Sequence, residues 1–187
     1  METTTSKHIL NGLDVDAVNG LISTVKANKD AGATRWNVRT VWDNGGRSVS
    51  HVDGFEIGGE RVDRQFTIKI DEPVELGGSN TSANPQEHLL AALNACMMMG
   101  YVAGATLFGI ELSKLEIRTE GDIDLRGFLG IDPKTPNGYT QLHYTVHIAG
   151  NGTPEQFQRL HKLVQATSPN YWNLSRAVQL NADLIVE

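Results

Sequence analysis

Cys96 is the only cysteine of the chain, and it lies within the longest apolar run, residues 83–109. Cysteine attacks as the thiolate, and an ordinary thiol with a pKa of about 8.5 is mostly protonated at neutral pH. A thiolate that meets a peroxide is oxidised to a sulfenic acid. One cysteine supports neither an intrachain disulfide framework nor a zinc site built on cysteines. Cys96 is therefore either a reactive thiol or a small buried hydrophobe, a frequent role of free cysteine.

A reactive Cys96 needs an activating group, because thiolate formation at neutral pH depends on a nearby cation, dipole or metal. The residues at helical spacing from it supply none of these: Ala92, Leu93, Met99 and Gly100. The start of its helix, at Pro85, lies about 16 Å away at 1.5 Å per residue, and a helix dipole acts only over its first turn. The activating group must come from elsewhere in the chain or from the helix start of a second subunit.

The helix that carries the thiol has a clear start signal. Asn84 suits the N-cap position, because its side-chain oxygen can accept a hydrogen bond from a first-turn N–H. Pro85 suits the first helical position, and Glu87 completes a capping-box pattern by reaching back to the Asn84 N–H. The residues that follow are apolar on almost every side of the helix. This pattern predicts a helix inside the protein or between subunits.

The rest of the chain reads mainly as strands, predicted where apolar residues alternate: residues 36–42, 47–52, 66–70, 115–119, 139–148 and 178–186. Helical spacing predicts a short amphipathic helix over residues 14–28, capped by Asp14 or Asp16, and a later helix that opens at Thr153. Residues 29–32 read as a linker and residues 127–138 as a long surface loop. Strands grouped around a few helices, rather than alternating with them, predict an α+β fold.

Length and charge narrow the function classes. A chain of 187 residues is long enough for one well-buried core, and its net charge of -6 comes without any cluster of Lys and Arg. A nucleic-acid or membrane-surface partner therefore has no electrostatic basis. The first ten residues lack the pattern of a secretory signal, and we expect a cytoplasmic protein whose apolar helix is core rather than membrane span. His143 and His147 share a strand face, but two ligands do not make a metal site, and we expect neither metal nor cofactor.

Three segments together resemble the Ohr/OsmC family of organic-hydroperoxide-reducing and osmotically induced proteins. They are Glu75-Leu76-Gly77-Gly78, Asn84-Pro85 and the helix Leu89-Leu90-Ala91-Ala92-Leu93-Asn94-Ala95-Cys96. The resemblance covers residues 35–187 and implies an OsmC-like domain there, with residues 1–34 as an N-terminal extension. It also implies an intertwined homodimer, with antiparallel sheets packed around the central helix and active sites at the subunit interface.

The resemblance implies a role for Cys96 and a departure from the family pattern. Cys96 matches the peroxidatic cysteine of the family. Ser168-Pro169 stands where the family has a second, resolving cysteine followed by proline. The family's internal disulfide therefore cannot form, and recycling of an oxidised Cys96 needs an external thiol.

Two further site residues follow from the resemblance. The family has a Glu directly after the Asn-Pro pair, where this chain has Gln86, with Glu87 one place further on. The family also has an arginine that binds and activates the thiolate. Gly45-Gly46-Arg47 resembles the Ohr version of that arginine and Arg64 resembles the OsmC version, so both stay open.

Two functions are consistent with these residues. The first is a thiol-dependent hydroperoxide reductase that uses Cys96 as nucleophile, with Arg47 or Arg64 on the thiolate and Gln86 or Glu87 orienting that arginine. The second is a protein without enzymatic activity that binds a small apolar ligand at the dimer interface. The retained Cys96 favours the first, whereas the missing resolving cysteine and the missing Glu favour the second.

Overall fold

The structure, a computed structural model, describes residues 7–187. The chain divides into two compact units that join between Ala91 and Ala92. In chain order the first unit contains these elements: β1 (Ile9–Leu10), β2 (Leu13–Asp14), α1 (Val15–Ala27), β3 (Thr34–Trp36), β4 (Arg39–Asn44), β5 (Arg47–Ile57) and β6 (Glu60–Ile70), with single 3₁₀ turns at Lys29–Gly32 and Val74–Leu76. The amphipathic helix predicted over residues 14–28 is confirmed as α1, and Asp14 is the residue that caps it.

The main sheet of the first unit is antiparallel and centred on β5. β6 pairs along one edge of β5, while β4 and β3 pair with the two halves of its other edge. The turns at Gly45 and Gly58 both have positive φ, which glycine adopts at no steric cost. They fix the hairpins β4–β5 and β5–β6, as the glycine pairs in the sequence indicate.

Three predictions for the first unit need correction. Residues 36–42 do not form one strand, because the chain leaves the sheet at Asn37-Val38 between β3 and β4. β5 is longer than predicted, and its length lets two short strands share one edge. Residues 29–32, predicted as a plain linker, form a 3₁₀ turn in which the Asp30 N–H donates to the Asn28 side chain.

α2 (Pro85–Leu107) begins in the first unit and continues into the second. The predicted capping box is present: the Asn84 N–H donates to the Glu87 carboxylate at 2.8 Å, and the Glu87 N–H donates to the Asn84 side chain at 2.9 Å. The second unit then adds, in chain order, β7 (Leu112–Glu120), α3 (Leu125–Phe128), β8 (His143–Gly150), α4 (Pro154–Thr167) and α5 (Pro169–Ser175).

The core of the second unit lies between the antiparallel pair β7–β8 and the helices α2 and α4. Its buried side chains include Leu93, Met97, Tyr101, Leu160 and Val164. Glycines on α2 bring the two helices close. A Cβ on Gly104 would lie 2.5 Å from the Leu160 side chain, and one on Gly100 would just touch Val164.

Three predictions for the second unit are partly or wholly wrong. The strand predicted over residues 139–148 starts only at His143. The surface loop predicted from residue 127 contains the end of α3. Residues 178–186 alternate in polarity but form no strand among the described residues; Leu180 and Leu184 are each 89% exposed. An alternating segment needs a sheet edge to pair with, and the sequence does not say whether one is available.

The α+β class is confirmed, since the sheets are antiparallel and the longest element is the helix α2. By length and composition alone α2 could cross a membrane. One side of it is nevertheless buried against protein, at Leu93, Met97 and Tyr101. This side of α2 is part of the core of the second unit.

Candidate functional site

The thiol of Cys96 is half-buried in the second unit and accepts a hydrogen bond from a serine. The hydroxyl of Ser168 lies 3.4 Å from Cys96 Sγ, and Ser168 is only 5% exposed. Sulfur is a large, soft acceptor, so a donor at this distance is in contact with it. Such a donor can stabilise negative charge on the sulfur, because hydrogen bonds to charged groups are about twice as strong as neutral ones.

Ser168 is held in place by the junction of two helices. It follows the last turn of α4, where its N–H donates to the Val164 carbonyl, and it is also the N-cap of α5. The Tyr171 N–H donates to its hydroxyl oxygen at 3.4 Å. Pro169 opens α5, and proline suits that first position. The Ser-Pro pair therefore ends one helix, begins another and presents a hydroxyl to the thiol.

Polar side chains also tie the thiol-bearing part of α2 to its surroundings. Asn170, next in the chain after Pro169, donates to the carbonyl of Ala92, one turn before the thiol. Asn94 accepts from the Thr119 hydroxyl at 2.5 Å and donates to the Ile117 carbonyl on β7. These contacts fix the position of Cys96 on both sides of α2.

Arg47, in the first unit, is engaged by two polar partners. Its Nε donates to the Asp43 carboxylate at 3.0 Å, and a terminal nitrogen donates to the Ser79 hydroxyl at 3.1 Å. The Ser79 hydroxyl donates in turn to the carboxylate of Asp71. The charge of Arg47 is thus largely balanced, and its position depends on the loop that contains Ser79.

Asp71 organises that loop. The carboxylate is fully buried and accepts hydrogen bonds from the N–H and hydroxyl groups of both Ser79 and Thr81 and from the N–H of Glu72. These bonds, first of all the one from the Thr81 N–H, hold the pKa of Asp71 far below its ordinary value and outweigh the effect of burial. Gly78 must lack a side chain, since a Cβ there would lie 1.8 Å from the Glu72 carbonyl oxygen.

Replacing Asp71 with asparagine is expected to lower the melting temperature at pH 7 by roughly 5 °C or more, because an amide cannot accept all five bonds. A carboxylate with a lowered pKa stabilises the fold above its ordinary pKa of 3.8, and this contribution is lost as pH falls further. The difference in melting temperature between the wild type and Asp71→Asn should therefore become smaller as the pH is lowered from 7 to 3. Asp63, which is exposed and pairs with Arg61, provides the control. The melting temperature of Asp63→Asn should differ little from that of the wild type at any pH.

Arg64 has different surroundings from Arg47. Its guanidinium lies 5.1 Å from the ring centre of Phe55, 5.4 Å from that of Phe66 and 5.7 Å from that of Trp36. Trp36 and Phe55 themselves stack at 4.6 Å. Arg64 makes no ion pair with any residue that the structure describes. Its charge is therefore held by aromatic faces and left available to an anion.

Gln86 and Glu87 are both exposed at the start of α2. Glu87 serves as the capping partner of Asn84. Within the described residues, no hydrogen bond joins either side chain to Arg47 or Arg64, so the predicted orienting role stays a prediction. No group of three His, Cys, Asp or Glu residues in the part of the chain that the structure describes could hold a metal ion.

The sequence predicts Cys96 as a candidate nucleophile but does not predict which polar group contacts its sulfur. Ser168 was singled out only as the place of an absent cysteine, and its hydroxyl is the polar group that the structure brings to the thiol. The signal was the Ser-Pro pair after a helix, which marks a helix end and a new N-cap.

Comparisons with known proteins agree with this architecture. A family model described as OsmC-like protein matches residues 78–183. An OsmC-like protein from Mycoplasma pneumoniae has a similar structure, with a TM-score of 0.59 and 16% sequence identity, over 75% of this chain and 87% of that one. A candidate osmotic stress induced and detoxification response protein from Psychrobacter arcticus 273-4 gives a TM-score of 0.55 at 12% identity, over 72% and 85%. No curated protein matches the sequence. The two solved structures show that the fold is OsmC-like.

Proposed function

Since this chain belongs to the OsmC-like protein family, we propose that it is a thiol-dependent reductase of organic hydroperoxides with Cys96 as nucleophile. The observation that carries the proposal is the contact between Cys96 and the buried hydroxyl of Ser168. The same hydroxyl accepts from the Tyr171 N–H and caps α5, and its own proton is directed to the sulfur, where it can stabilise a thiolate. The half-buried thiol combines a shielded sulfur with access for a small substrate.

The reaction proceeds in two stages. The Cys96 thiolate attacks the terminal oxygen of the hydroperoxide, the O–O bond breaks, and a sulfenic acid forms on the sulfur. The alkoxide leaves and takes up a proton to give the alcohol. An external thiol then condenses with the sulfenic acid, forming a mixed disulfide and releasing water. A second external thiol attacks that disulfide and regenerates Cys96. The balance is one hydroperoxide and two thiols converted to one alcohol, one disulfide and one water.

Ser168 cannot have the role of the resolving cysteine that the family has at this position. A serine hydroxyl cannot resolve a sulfenic acid as a disulfide, but it can donate to the sulfur as negative charge develops there. The enzyme is therefore of the one-cysteine type, and its reductant is a small or protein thiol in solution.

Of the two arginines, Arg64 is the better proposal for activating the thiolate. Arg47 is neutralised by Asp43 and anchored to the Asp71 loop. Arg64 retains an unpaired charge on an aromatic surface. A charge without a counter-ion stabilises an approaching anion more strongly than one already paired.

Replacing Arg64 with methionine, which keeps an apolar stem but no charge, should reduce kcat/KM for cumene hydroperoxide about a hundredfold. Arg64→Lys should retain part of the activity, because it keeps the charge without the planar fork. Arg47→Met is the matched variant, and a change of less than about fivefold is expected. The reverse order of effects, measured on proteins with unchanged circular dichroism, would assign the role to Arg47.

The proposal as a whole is tested by brief exposure to cumene hydroperoxide in the presence of dimedone, which traps sulfenic acids, followed by intact-mass spectrometry. One dimedone adduct, located on Cys96 at low peroxide concentration, is expected. An unmodified Cys96 in the reduced, folded protein would refute the peroxidase and leave the ligand-binding alternative, which the absent resolving cysteine and the exposed Gln86 favour.

We also propose that the protein acts as a homodimer. Large apolar side chains are exposed in each unit: Trp36, Trp42 and Phe66 in the first, and Met99, Trp172 and Leu180 in the second. Ala92, Ala95 and Met99 form an exposed stripe on the apolar helix α2. A second copy is the simplest cover for such surfaces. Multi-angle light scattering should give twice the chain mass of 20.4 kDa, and a monomeric mass would contradict the proposal.

Two finer expectations remain proposals. We place the protein in the cytoplasm, where glutathione and thioredoxin systems keep a thiol such as Cys96 reduced. We also propose that residues 1–34 are an extension to an OsmC-like domain that spans residues 35–187. Deletion of residues 1–34 should leave a folded protein whose far-ultraviolet spectrum loses only the helical signal of α1. Loss of cooperative unfolding would contradict that boundary.

A further inference from the structure

The second unit contains a cleft that the proposed peroxidase reaction does not use. It lies between β8 and α4 and has a volume of about 730 Å³. Clefts that bind small molecules typically measure about 300–1,000 Å³. Tyr144, Val146 and Ile148 from β8 form one wall, and the ring of Phe157 begins the facing wall on α4. Tyr101 of α2 lines the cleft and is itself 1% exposed.

One face of α4 supplies most of the polar side chains of the cleft, and Thr145 on β8 adds a hydroxyl. Gln158, His161, Lys162 and Gln165 recur at three- and four-residue spacing, so they project from the same side of the helix. None of the residues that line the cleft is acidic. The cleft therefore combines an apolar, aromatic wall with a row of hydrogen-bond donors and one permanent positive charge.

The buried Tyr101 sets the hydrogen-bonding state of His161. The two side chains share a short hydrogen bond between the phenol oxygen and Nδ1 of the ring. Burial raises the pKa of Tyr101 above its usual range, with a smaller contribution from Tyr144, so the phenol keeps its proton. The phenol makes no other hydrogen bond with the described residues, and a protonated phenol whose one partner is Nδ1 donates to it. A neutral His161 then carries its own proton on Nε2 and presents it as a donor.

A second donor arises in the same way at Tyr144. The side-chain amide of Gln165 donates to the Tyr144 oxygen at 2.8 Å. With its oxygen occupied as an acceptor, the phenol has its own hydrogen to offer. The rings of Tyr144 and His161 lie 6.2 Å apart and are tilted by 42°, so the two donors sit side by side in the cleft.

From these features we propose that the cleft between β8 and α4 binds a small planar aromatic carboxylate. The aromatic body packs among Tyr101, Tyr144 and Phe157, and the carboxylate accepts from His161 Nε2 and pairs with Lys162. The proposal does not depend on Cys96, so it stands or falls separately from the peroxidase reaction.

Isothermal titration calorimetry with sodium 2-naphthoate tests the proposal on the full chain. Saturable binding with one site per chain is expected, and 2-naphthalenemethanol, the neutral analogue, should bind about tenfold more weakly. Lys162→Met should weaken naphthoate about fivefold and leave the alcohol unchanged. Lys114→Met, which removes the same charge from the β7 strand of the same unit, should change neither affinity.

Three outcomes would overturn the proposal. They are the absence of saturable naphthoate binding, equal affinity for the acid and the alcohol, and an equal effect of Lys162→Met and Lys114→Met. Cys96→Ser should bind naphthoate like the wild type, even if the wild type fails the dimedone test. A Cys96→Ser variant with lost naphthoate binding would place the ligand at the thiol instead.

Discussion

Replacing Cys96 with serine is expected to reduce the rate of hydroperoxide reduction by about a thousandfold or more, to the level of the reaction without enzyme. A serine hydroxyl has neither the acidity nor the polarisable sulfur that peroxide attack requires, and the chain contains no other cysteine to replace it. Loss of the nucleophile in a covalent mechanism removes nearly all of the rate enhancement. Steady-state consumption of cumene hydroperoxide with dithiothreitol as reductant measures the effect.

The matched control for this prediction is Ser168→Ala. It removes the hydroxyl that donates to Cys96 Sγ and leaves the thiol in place. A fall of about tenfold is expected, because one donor to developing charge is lost while the nucleophile remains. The same variant also loses the N-cap of α5, so its melting temperature must be recorded. Equal activities of Cys96→Ser and the wild type would show that peroxide consumption has another origin.

The local features of the site could be read from the sequence because their causes are local. Asn84 and Glu87 are three residues apart, and their capping box requires only the helix between them. The positive φ at Gly45 and Gly58 likewise follows from the glycine itself. Patterns of this kind depend on neighbours in the chain, so one sequence suffices to predict them.

The contacts that give the site its chemistry are long-range, and their prediction was weaker. Ser168 and Cys96 are 72 positions apart, and only the family resemblance related them. The Asp71 network depends on how a loop folds back over a buried carboxylate, which no periodicity reveals. Arg47 and Arg64 could not be separated by spacing either; their surroundings distinguish them, since one has an acidic partner and the other has aromatic rings.

The wrongly predicted strand at residues 178–186 shows a different limit. Alternation describes a segment that can lie on a half-buried sheet, but pairing needs a free edge of matching length. In the single chain the segment is exposed, with apolar side chains such as Leu184 and Val186 in solvent. The segment has the sequence of a strand but no strand to pair with in the single chain. A second copy of the chain could supply that strand, so the exposure of the segment supports the proposed dimer.

Ser168→Cys is expected to convert the proposed one-cysteine peroxidase into a two-cysteine peroxidase. The Ser168 oxygen is 3.4 Å from Cys96 Sγ, so a sulfur in its place needs about 1.4 Å of further approach to reach a disulfide length. Peroxide should then give a sulfenic acid on Cys96, which the new thiol attacks, releasing water and forming an intramolecular disulfide. Turnover should become dependent on a dithiol reductant, and dimedone should no longer trap most of the oxidised protein.

Non-reducing peptide mapping after one equivalent of peroxide measures this change directly. A disulfide between Cys96 and the cysteine introduced at position 168 is expected in more than half of the chains, against none in the wild type, which lacks a second thiol. Thr167→Cys provides the matched control, because it places a cysteine one residue away on the last turn of α4, where the wild-type side chain bonds to the Leu163 carbonyl instead. Equal cross-linking of both variants would mean that the region opens freely, and no cross-linking of Ser168→Cys would contradict the observed contact. Selective cross-linking at position 168 would show that this position, which holds a serine in the wild type, has the geometry that a resolving cysteine requires.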